Sequence, residues 1–453
     1  MTTDPDIRKA HSADVSGLVM LPDSVARPES ADEVREILRQ ASADRTPVTA
    51  AGSQTSTTGA SIADKGILLS MRAMNRVIDI DATARRVVVE PGVLLGDLNR
   101  VLAQHGLMFS PDPTSLDDVT VGGAIACNAS GARSLLYGPT RAHVAALHVV
   151  LANGDVADVR RSGLEKNTVG YAFAQEPVDW FVGSEGTLGV ITRAELSLLP
   201  LPERVIGLAL PFPDEGSALR CVLAIRDPWH ESAAPMVTAR CIEYFDAVSV
   251  EIARTHAGAP WKGGGLLYVE DVSSAPDTLD RWLALAEVQG AVVGDIGVFE
   301  GESALRDARR FRHAVPATMN ERGSARRAYG GRKVSTDWAV PYRKLHAAIV
   351  AARGLVDDSG LPQPAIYGHA GNGHPHENFV ARDADEVARV EQVVEQTLRH
   401  VLALGGTVSA EHGIGKIKRR WLPLQATPLQ IAVMRAVKRE LDPQGILAPG
   451  NIL

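Results

Sequence analysis

The chain has few cysteines, and those it has lie far apart. Its 453 residues include three, Cys127, Cys221 and Cys241, and no two of them have CxxC spacing. Neither an iron–sulfur cluster nor a disulfide framework is therefore expected. Sparse, isolated cysteines are typical of a reducing compartment, which favours a cytoplasmic location.

The sequence also lacks the patterns of membrane-spanning, secreted and nucleic-acid-binding proteins. It has no run of about 18 or more apolar residues, and its polar N-terminus lacks the basic start and apolar run of a secretory signal. The net charge of −7 arises from mixed acidic and basic residues without a basic stripe, so no nucleic-acid partner is expected. Peripheral attachment to a membrane and a homodimer both stay open.

The composition is that of a folded protein with a sizeable core. Hydrophobic residues make up 45% of the chain, and its length suggests two or three domains. The proline-rich stretch 199–202 marks a candidate boundary. Strand and helix patterns alternate in the manner of an α+β sandwich rather than a doubly wound parallel sheet.

Periodicity and turn residues predict helices and strands along the whole chain. The predicted helices are 28–46, 94–105, 214–226, 278–289, 341–353 and 383–404. The predicted strands are 47–51, 66–70, 77–81, 86–90, 205–210 and 265–269, with a hairpin over 143–159. Ser30 followed by Glu33 resembles a capping box at the start of the first helix.

Three loops of glycine and other small residues lie in the N-terminal half, at 52–59, 120–131 and 183–189. Neither GxGxxG nor GxxxxGK[ST] is present, so neither a Rossmann NAD site nor a P-loop is indicated. A single loop of this kind is most simply a surface connection. Three loops attached to strands can direct several backbone N–H groups at one anion, which favours a large phosphate-bearing cofactor.

A histidine-rich segment, Tyr367–Asn378, predicts a metal site. Asn372-Gly373 is a strong signal for a two-residue hairpin turn. That turn would pair Gly371 with His374 and His369 with His376, and it would hold the imidazoles of His369 and His376 on one face. A lone histidine is usually structural, but two at this spacing can share a divalent ion.

A second cluster, Ser409–Gly415, offers a carboxylate at Glu411 and an imidazole at His412. Two histidines and one carboxylate form a common catalytic ligand set that leaves positions open for substrate. The simpler interpretation of Glu411 alone is a surface acid at a strand end. The two segments must converge in space for a site to exist, and spacing does not reveal that.

Taken together and in this order, the three loops, the histidine-rich segment, the Glu411–Gly415 motif and Leu441–Gly450 resemble the FAD-linked oxidases and dehydrogenases of the vanillyl-alcohol-oxidase type. The most similar branch is the D-2-hydroxyacid group: D-lactate dehydrogenase, the glycolate oxidase FAD subunit and D-2-hydroxyglutarate dehydrogenase. The resemblance runs from about residue 20 to the C-terminus. It implies an α+β fold in which a PCMH-type FAD-binding domain, 1–203, is followed by an inserted α+β substrate (cap) domain, 204–404, and a C-terminal segment, 405–453, returns to the FAD domain.

The resemblance implies an FAD held by residues of the glycine-rich loops and their neighbours. The family includes members with flavin bonded to histidine or cysteine, but no feature of this sequence favours such a bond, so a non-covalent FAD is expected. The implied flavin contacts are Gly52, Ser53, Gln54, Thr55, Ser56, Gly59, Pro113, Thr114, Ser115, Thr120, Gly122, Gly123, Ala126, Asn128, Glu185, Gly186, Gly189 and Ile191. Two positions depart from the family pattern: Ala51 stands where an arginine is usual, and Gln54 where a glycine or asparagine is usual. A site made mainly of backbone donors should tolerate both.

The resemblance also implies a metal and catalytic cluster. His369, His376 and Glu411 match the ligands of a divalent metal, zinc or else manganese or iron, and His412 matches the general base. His374 stands where the family has asparagine and is a candidate substitute or extra ligand, while Pro375 limits strand pairing beyond the turn.

Two cations are candidates for the substrate carboxylate. Arg312, in the basic stretch 309–316, matches the family arginine, and a guanidinium can grip a carboxylate with two parallel hydrogen bonds. Arg309 and Arg310 are equally well explained as a solvated helix face. Lys333 matches a family segment near the substrate.

The expected reaction is oxidation of a small-molecule D-2-hydroxyacid to the 2-oxoacid. The metal would lower the pKa of the hydroxyl, His412 would take its proton, and FAD would accept the hydride. The acceptor of the electrons stays open among a quinone, a cytochrome, another flavoprotein and oxygen. Alternatives are an FAD-dependent transferase of the alkylglycerone-phosphate synthase type and an FAD subunit of an electron-transfer complex.

Overall fold

The computed structural model describes residues 1–231 and 237–453, which divide into two compact units. Unit 1 consists of Met1–Gly131, Gly138–Leu201 and Glu411–Leu453. Unit 2 consists of Ala132–Tyr137 and Pro202–Ala410. The chain therefore leaves unit 1 twice and returns to it for its last segment.

Strands and helices occur throughout both units. The strands are β1 (Ser24–Ala26), β2 (Val48–Ala51), β3 (Ile67–Ser70), β4 (Val77–Asp81), β5 (Arg86–Val89), β6 (Leu107–Met108), β7 (Val144–Val150), β8 (Val156–Arg160), β9 (Val190–Ser197), β10 (Leu199–Pro200), β11 (Ile206–Phe212), β12 (Ala239–Asp246), β13 (Gly265–Asp271), β14 (Gly297–Glu300), β15 (Gly330–Ser335), β16 (Ala365–His369) and β17 (His374–Asp383). The helices are α1 (Pro5–Ala10), α2 (Ala31–Asp44), α3 (Leu95–Ala103), α4 (Val121–Cys127), α5 (Ser134–Tyr137), α6 (Ala172–Gln175), α7 (Val178–Phe181), α8 (Glu215–Arg226), α9 (Pro228–Glu231), α10 (Ala247–Ala257), α11 (Thr278–Val288), α12 (Gly301–Ser324), α13 (Leu345–Ser359), α14 (Ala384–Ala403), α15 (Leu422–Gln425) and α16 (Pro428–Leu441).

Unit 1 is built on two main sheets. β1, β3 and β2 form a parallel three-stranded sheet, and β4, β5, β9, β7 and β8 form an antiparallel five-stranded sheet in that order. The C-terminal segment packs against the first sheet, because Val48 donates to the Ile446 carbonyl and Ala448 donates to the Val48 carbonyl, both at 2.8 Å. Ile446 and Leu447 lie in the same buried cluster as Val34 and Leu38 of α2.

Unit 2 is a seven-stranded sheet in the order β14-β11-β13-β12-β16-β17-β15, in which all strand pairs are antiparallel. One face packs against α10 and α12 through residues such as Phe245, Leu266 and Val315. On the other face, Asp246 at the end of β12 pairs with Arg353 of α13 at 3.0 Å. Antiparallel pairing and period-two alternation put every second residue of β12, β16 and β17 on the α12 side.

The mixed α+β architecture predicted from sequence is confirmed, and the helix starts are the best predicted elements. The side chains of Ser30, Asp214 and Asp383 each accept a hydrogen bond from the backbone of the first turn of α2, α8 and α14. The hairpin over 143–159 is present as β7 and β8. Among the described residues, no helix is long and apolar enough to cross a membrane.

Candidate functional site

The three glycine-rich loops come together within unit 1. A Cβ on Gly52 would lie 2.1 Å from the Thr120 hydroxyl oxygen, so the first loop can approach the second this closely only with glycine at that position. The third loop packs on α4, because Gly183 donates to the Ile125 carbonyl at 3.0 Å and Glu185 donates to the Ala126 carbonyl at 2.8 Å. Loops far apart in sequence thus line one region of the unit.

Helix α4 forms the centre of this region. Thr120 caps it by accepting from Gly123 N–H, and the helix ends at Asn128, which has a left-handed φ of 49°. The Asn128 side-chain oxygen accepts from Arg141 N–H at 2.9 Å. A Cβ on Gly122 would lie 2.6 Å from the Pro91 Cβ, so this turn packs directly on the main chain beside β5.

The remaining sequence-predicted flavin residues surround this core of loops. Pro113, Thr114 and Ser115 form the turn before Thr120, in which the Ser115 carbonyl accepts from Val119 N–H at 2.8 Å. Gly186 and Gly189 belong to the third loop and lead into Ile191 at the start of β9. Gly59 closes the first loop with a φ of 78°.

Gln54 has a local structural role that the sequence did not indicate. Its side-chain nitrogen donates to the carbonyls of His11, Ala13 and Ser61 at 3.0 to 3.3 Å, and its oxygen lies 2.9 Å from His11 Nδ1. The side chain therefore tethers the N-terminal segment to the first loop. Ser56 likewise serves its own turn by accepting from Thr58 and Ala60 N–H.

The loop region suits a phosphate-bearing cofactor. Ser53 Oγ is buried without a hydrogen-bond partner within the described residues, as expected for a donor whose partner is a bound group. Burial raises the pKa of the Cys127 thiol to about 12, so it carries no thiolate at neutral pH. The residues present therefore fit a cofactor held by hydrogen bonds.

Glu185 clamps the segment that carries the predicted base. Its two carboxylate oxygens accept from Ile414 N–H at 2.6 Å and from Gly415 N–H at 2.8 Å. The Thr58 carbonyl accepts from Lys416 N–H, and Thr58 Oγ1 donates to the His412 carbonyl at 3.4 Å. Glu411 and His412 thus begin a turn of unit 1 that is held on both sides.

The histidine hairpin has a different register from the predicted one. His369 lies opposite His374, and Tyr367 lies opposite His376, so the prediction that His369 pairs with His376 and Gly371 with His374 is wrong. The connection contains four residues rather than two, because Ala370–Asn372 form a 3-10 turn closed by Gly373 N–H on the Ala370 carbonyl. The slip is an even number of residues, so the same side chains stay on the same face.

The prediction that Pro375 limits strand pairing beyond the turn is wrong. The ladder continues through the Gly368–Pro375 pair to the pair of Ala365 and Asn378. The missing N–H of Pro375 is tolerated since β15 joins the other edge of β17 only from Asn378 onward.

The hairpin brings three imidazoles together in unit 2. His369, His374 and His376 each offer a ring nitrogen, and these nitrogens lie within 4.8 Å of one another. All three residues are buried. His374 Nε2 makes no hydrogen bond within the described residues. Three imidazoles this close together, one with a nitrogen outside any hydrogen bond, could serve as ligands of a transition-metal or zinc ion.

Acceptors on the protein fix two of these rings. His369 Nδ1 lies 2.6 Å from Glu243 Oε1, and His376 Nδ1 lies 3.3 Å from the Thr336 carbonyl. Because both partners accept, each Nδ1 carries the proton, and Nε2 is left with its lone pair when the ring is neutral.

Two acids beside the histidines were not found from the sequence. Glu243, on β12, accepts from His369 and also from Arg312 Nε at 2.8 Å. Burial opposes its ionisation, but Arg312 and His369 outweigh that cost and lower the pKa of Glu243 to about 2. The sequence pattern predicts no strand over β12, so no local signal indicates Glu243.

Asp337 is the second of these acids. Its Oδ1 lies 2.9 Å from His374 Nε2, close enough for an ion pair, although the two groups are not aligned as a hydrogen bond. Its other oxygen accepts from the Ser409 hydroxyl at 2.9 Å. His374 therefore has an acid beside it, and its Nε2 is in no hydrogen bond within the described residues.

The two predicted carboxylate-binding cations lie on the same side of the unit 2 sheet. Arg312 is in the middle of α12, and Pro316, four residues on, has no N–H to donate to its carbonyl. Lys333 lies opposite Val380 on β17, which puts its side chain on the His376 face. Burial lowers the pKa of the Lys333 ammonium to about 8.

A PCMH-type fold with converging glycine-rich loops defines a flavoprotein, and comparison with known proteins agrees. Residues 22–160 match the family model of the FAD binding domain, and residues 201–452 match that of the C-terminal domain of FAD linked oxidases. The chain belongs to the FAD-linked oxidase family. FAD is its cofactor, and the protein is an FAD-dependent oxidoreductase.

Relatives cover almost the whole chain. Glycolate oxidase subunit GlcD of Bacillus subtilis is 32% identical over 95% of this chain and 89% of its own length. A probable mitochondrial D-lactate dehydrogenase of Danio rerio is 32% identical over 99% and 88%, and a D-2-hydroxyglutarate dehydrogenase of Xanthomonas citri pv. viticola is 29% identical over 95% and 89%. A solved structure of alkyldihydroxyacetonephosphate synthase superposes with a TM-score of 0.72 over 99% of this chain and 81% of that one, at 17% identity, which shows the shared fold alone.

Proposed function

We propose that the protein oxidises a D-2-hydroxyacid of the D-lactate, glycolate or D-2-hydroxyglutarate class to the 2-oxoacid. The observation that carries this proposal is the arrangement on one face of the unit 2 sheet, where three imidazoles lie beside the Glu243–Arg312 ion pair. A metal-ligand set next to a guanidinium suits a substrate with a hydroxyl beside a carboxylate. The relatives named for such substrates support the same class.

His369 and His376 would hold a divalent metal, zinc or else manganese or iron, together with Glu411, and His374 is a further candidate ligand. Such an ion, when bound, lowers the pKa of the substrate hydroxyl and fixes its orientation. Arg312 and Lys333 would bind the substrate carboxylate. We assign proton removal from the hydroxyl to His412, whose imidazole type is suited to a base near neutral pH.

The flavin site of this proposal is non-covalent. The loop residues from Gly52 to Ser56, with Thr120, Gly122 and Gly123, would hold the cofactor mainly through backbone N–H groups. FAD bound there would supply the acceptor for the hydride. The acceptor that takes the electrons onward is a quinone, a cytochrome, another flavoprotein or oxygen.

A substrate panel with an artificial dye acceptor tests this function. We expect turnover with glycolate or with the D-enantiomer of a larger 2-hydroxyacid, and none with the L-enantiomer. Equal turnover of both enantiomers would contradict the assignment to the D-2-hydroxyacid class. A protein that turns over no hydroxyacid but retains FAD would instead support the transferase alternative or an electron-transfer subunit.

A further inference from the structure

Glu243 contacts both halves of the proposed substrate site. Its Oε1 lies 2.6 Å from His369 Nδ1, and its Oε2 accepts from Arg312 Nε at 2.8 Å. The carboxylate side chain is 2% exposed, so it is held away from water. One buried acid on β12 thereby joins a hairpin histidine to an arginine of α12.

A carboxylate can hold both partners at once because each oxygen serves one donor. His369 must present the proton on Nδ1 to reach Glu243, which leaves Nε2 to face a metal. Histidine ligands in metal sites generally donate their other ring N–H to such an acceptor, which fixes the tautomer and the ring orientation. His376 has the weaker acceptor, a backbone carbonyl at 3.3 Å.

We propose that Glu243 is a positioning residue that sets the His369 tautomer and ring angle for metal binding and, through its other oxygen, orients Arg312 toward the substrate carboxylate. This inference rests on the proposed function, since it needs a metal bound at His369. In this role Glu243 fixes the position of a metal ligand relative to that of the arginine that binds the substrate carboxylate. The substrate must contact both.

The unit offers a matched control in Glu270 on the neighbouring strand β13. Glu270 is equally buried and also pairs with an arginine, Arg240, at 2.7 Å. It also accepts from the Tyr268 hydroxyl at 2.9 Å, where Glu243 has a histidine. Replacing Glu270 therefore removes a buried, ion-paired carboxylate without altering an acceptor for an imidazole.

The test measures metal affinity directly in the FAD-loaded full chain. Wild type, Glu243→Gln and Glu270→Gln are equilibrated with buffered Zn²⁺, and bound metal is quantified. Glutamine has the shape of glutamate but one acceptor oxygen, so either His369 or Arg312 loses its acceptor. We expect Glu243→Gln to bind zinc about 10- to 100-fold more weakly and Glu270→Gln to match wild type.

The outcomes separate this inference from the proposed function. If wild type itself binds no metal, the metal-assisted function fails. If wild type binds zinc and Glu243→Gln binds it equally well, or if Glu270→Gln weakens binding as much, the role of Glu243 is refuted.

A second measurement keeps the inference testable should Glu243→Gln not fold. In Co²⁺-loaded wild type, a His369 bound through Nε2 and hydrogen-bonded to Glu243 should show a paramagnetically shifted Nδ1–H proton signal that exchanges slowly with solvent. The absence of any slowly exchanging N–H signal of this kind would overturn the proposal.

Discussion

At the scale of single residues, the proposed metal ligand His376 can be tested apart from flavin binding. His376 lies on β17 of unit 2, whereas the glycine-rich loops belong to unit 1. We therefore expect His376→Ala to lose about 100-fold or more in kcat/KM while retaining the absorbance of bound FAD, because an electrostatic group at the reacting hydroxyl is lost. A variant with full activity would remove the metal hypothesis.

Lys333, which we propose binds the substrate carboxylate, should give kcat/KM a pH dependence of defined sign. The ammonium is the form that attracts a carboxylate, and burial lowers its pKa to about 8. As the pH rises through that value the charge is lost, so kcat/KM, which reports the free enzyme, should fall above about pH 8. Because arginine stays protonated, Lys333→Arg should lack this descending limb. An unchanged limb in that variant would assign the ionisation to another group.

At the scale of elements, the loop of the histidine hairpin depends on Gly373. It has a φ of 70°, and a Cβ there would lie 2.0 Å from the Val340 carbonyl oxygen. Gly373→Ala should destabilise the protein by roughly 1–3 kcal/mol. It should also weaken metal binding, because relieving the overlap requires the loop to shift and this displaces His374 at the start of β17.

Gly405 is the control for that substitution. It has a φ of 85°, and a Cβ there would meet no other atom of the described residues within 4 Å. Gly405→Ala therefore keeps the strain of a left-handed alanine and lacks the steric overlap. It should lower stability in thermal unfolding without changing metal affinity. If both alanine variants bind metal equally well, the loop geometry does not govern the site.

The clamp made by Glu185 should be visible in stability against pH. Burial outweighs its backbone hydrogen bonds and raises the pKa of Glu185 from 4.5 to about 6. Between pH 4.5 and about pH 6 the folded state binds more protons than the unfolded state. The free energy of unfolding therefore falls as the pH rises through this range, by about 2 kcal/mol in total. Glu185→Gln should lack this decline when unfolding is followed across that pH range, and an identical decline would rule out Glu185 as its source.

Elements whose ends have local signals were predictable from the sequence. Helices α2, α8 and α14 start at capping side chains, and the β7–β8 hairpin has turn residues at its tip. The register of the histidine hairpin could not be predicted from the sequence, because Asn372-Gly373 fits both a two-residue turn and the end of a four-residue loop. Helix α12, which carries Arg312, contains Pro316, a residue that usually breaks or kinks a helix, so local patterns did not indicate its 24-residue length.

At the scale of the whole molecule, the family and the cofactor followed from the order of motifs, whereas the contacts inside each unit did not. The three loops are separated by long stretches of chain, and only folding brings Gly52 to Thr120 and Gly183 to α4. Glu243 lies more than a hundred residues before His369, on a strand without a turn signal. Long-range convergence of this kind leaves no mark on local periodicity.

The most direct measurement is anaerobic reduction of the bound flavin by D- and L-2-hydroxyacids, before and after treatment with a chelator. The proposed function predicts that one D-acid, or glycolate, bleaches the flavin absorbance, that chelation abolishes the bleaching, and that added Zn²⁺ or Mn²⁺ restores it. Bleaching that is indifferent to the chelator would contradict metal assistance. A yellow protein that no hydroxyacid reduces would contradict the assigned reaction itself.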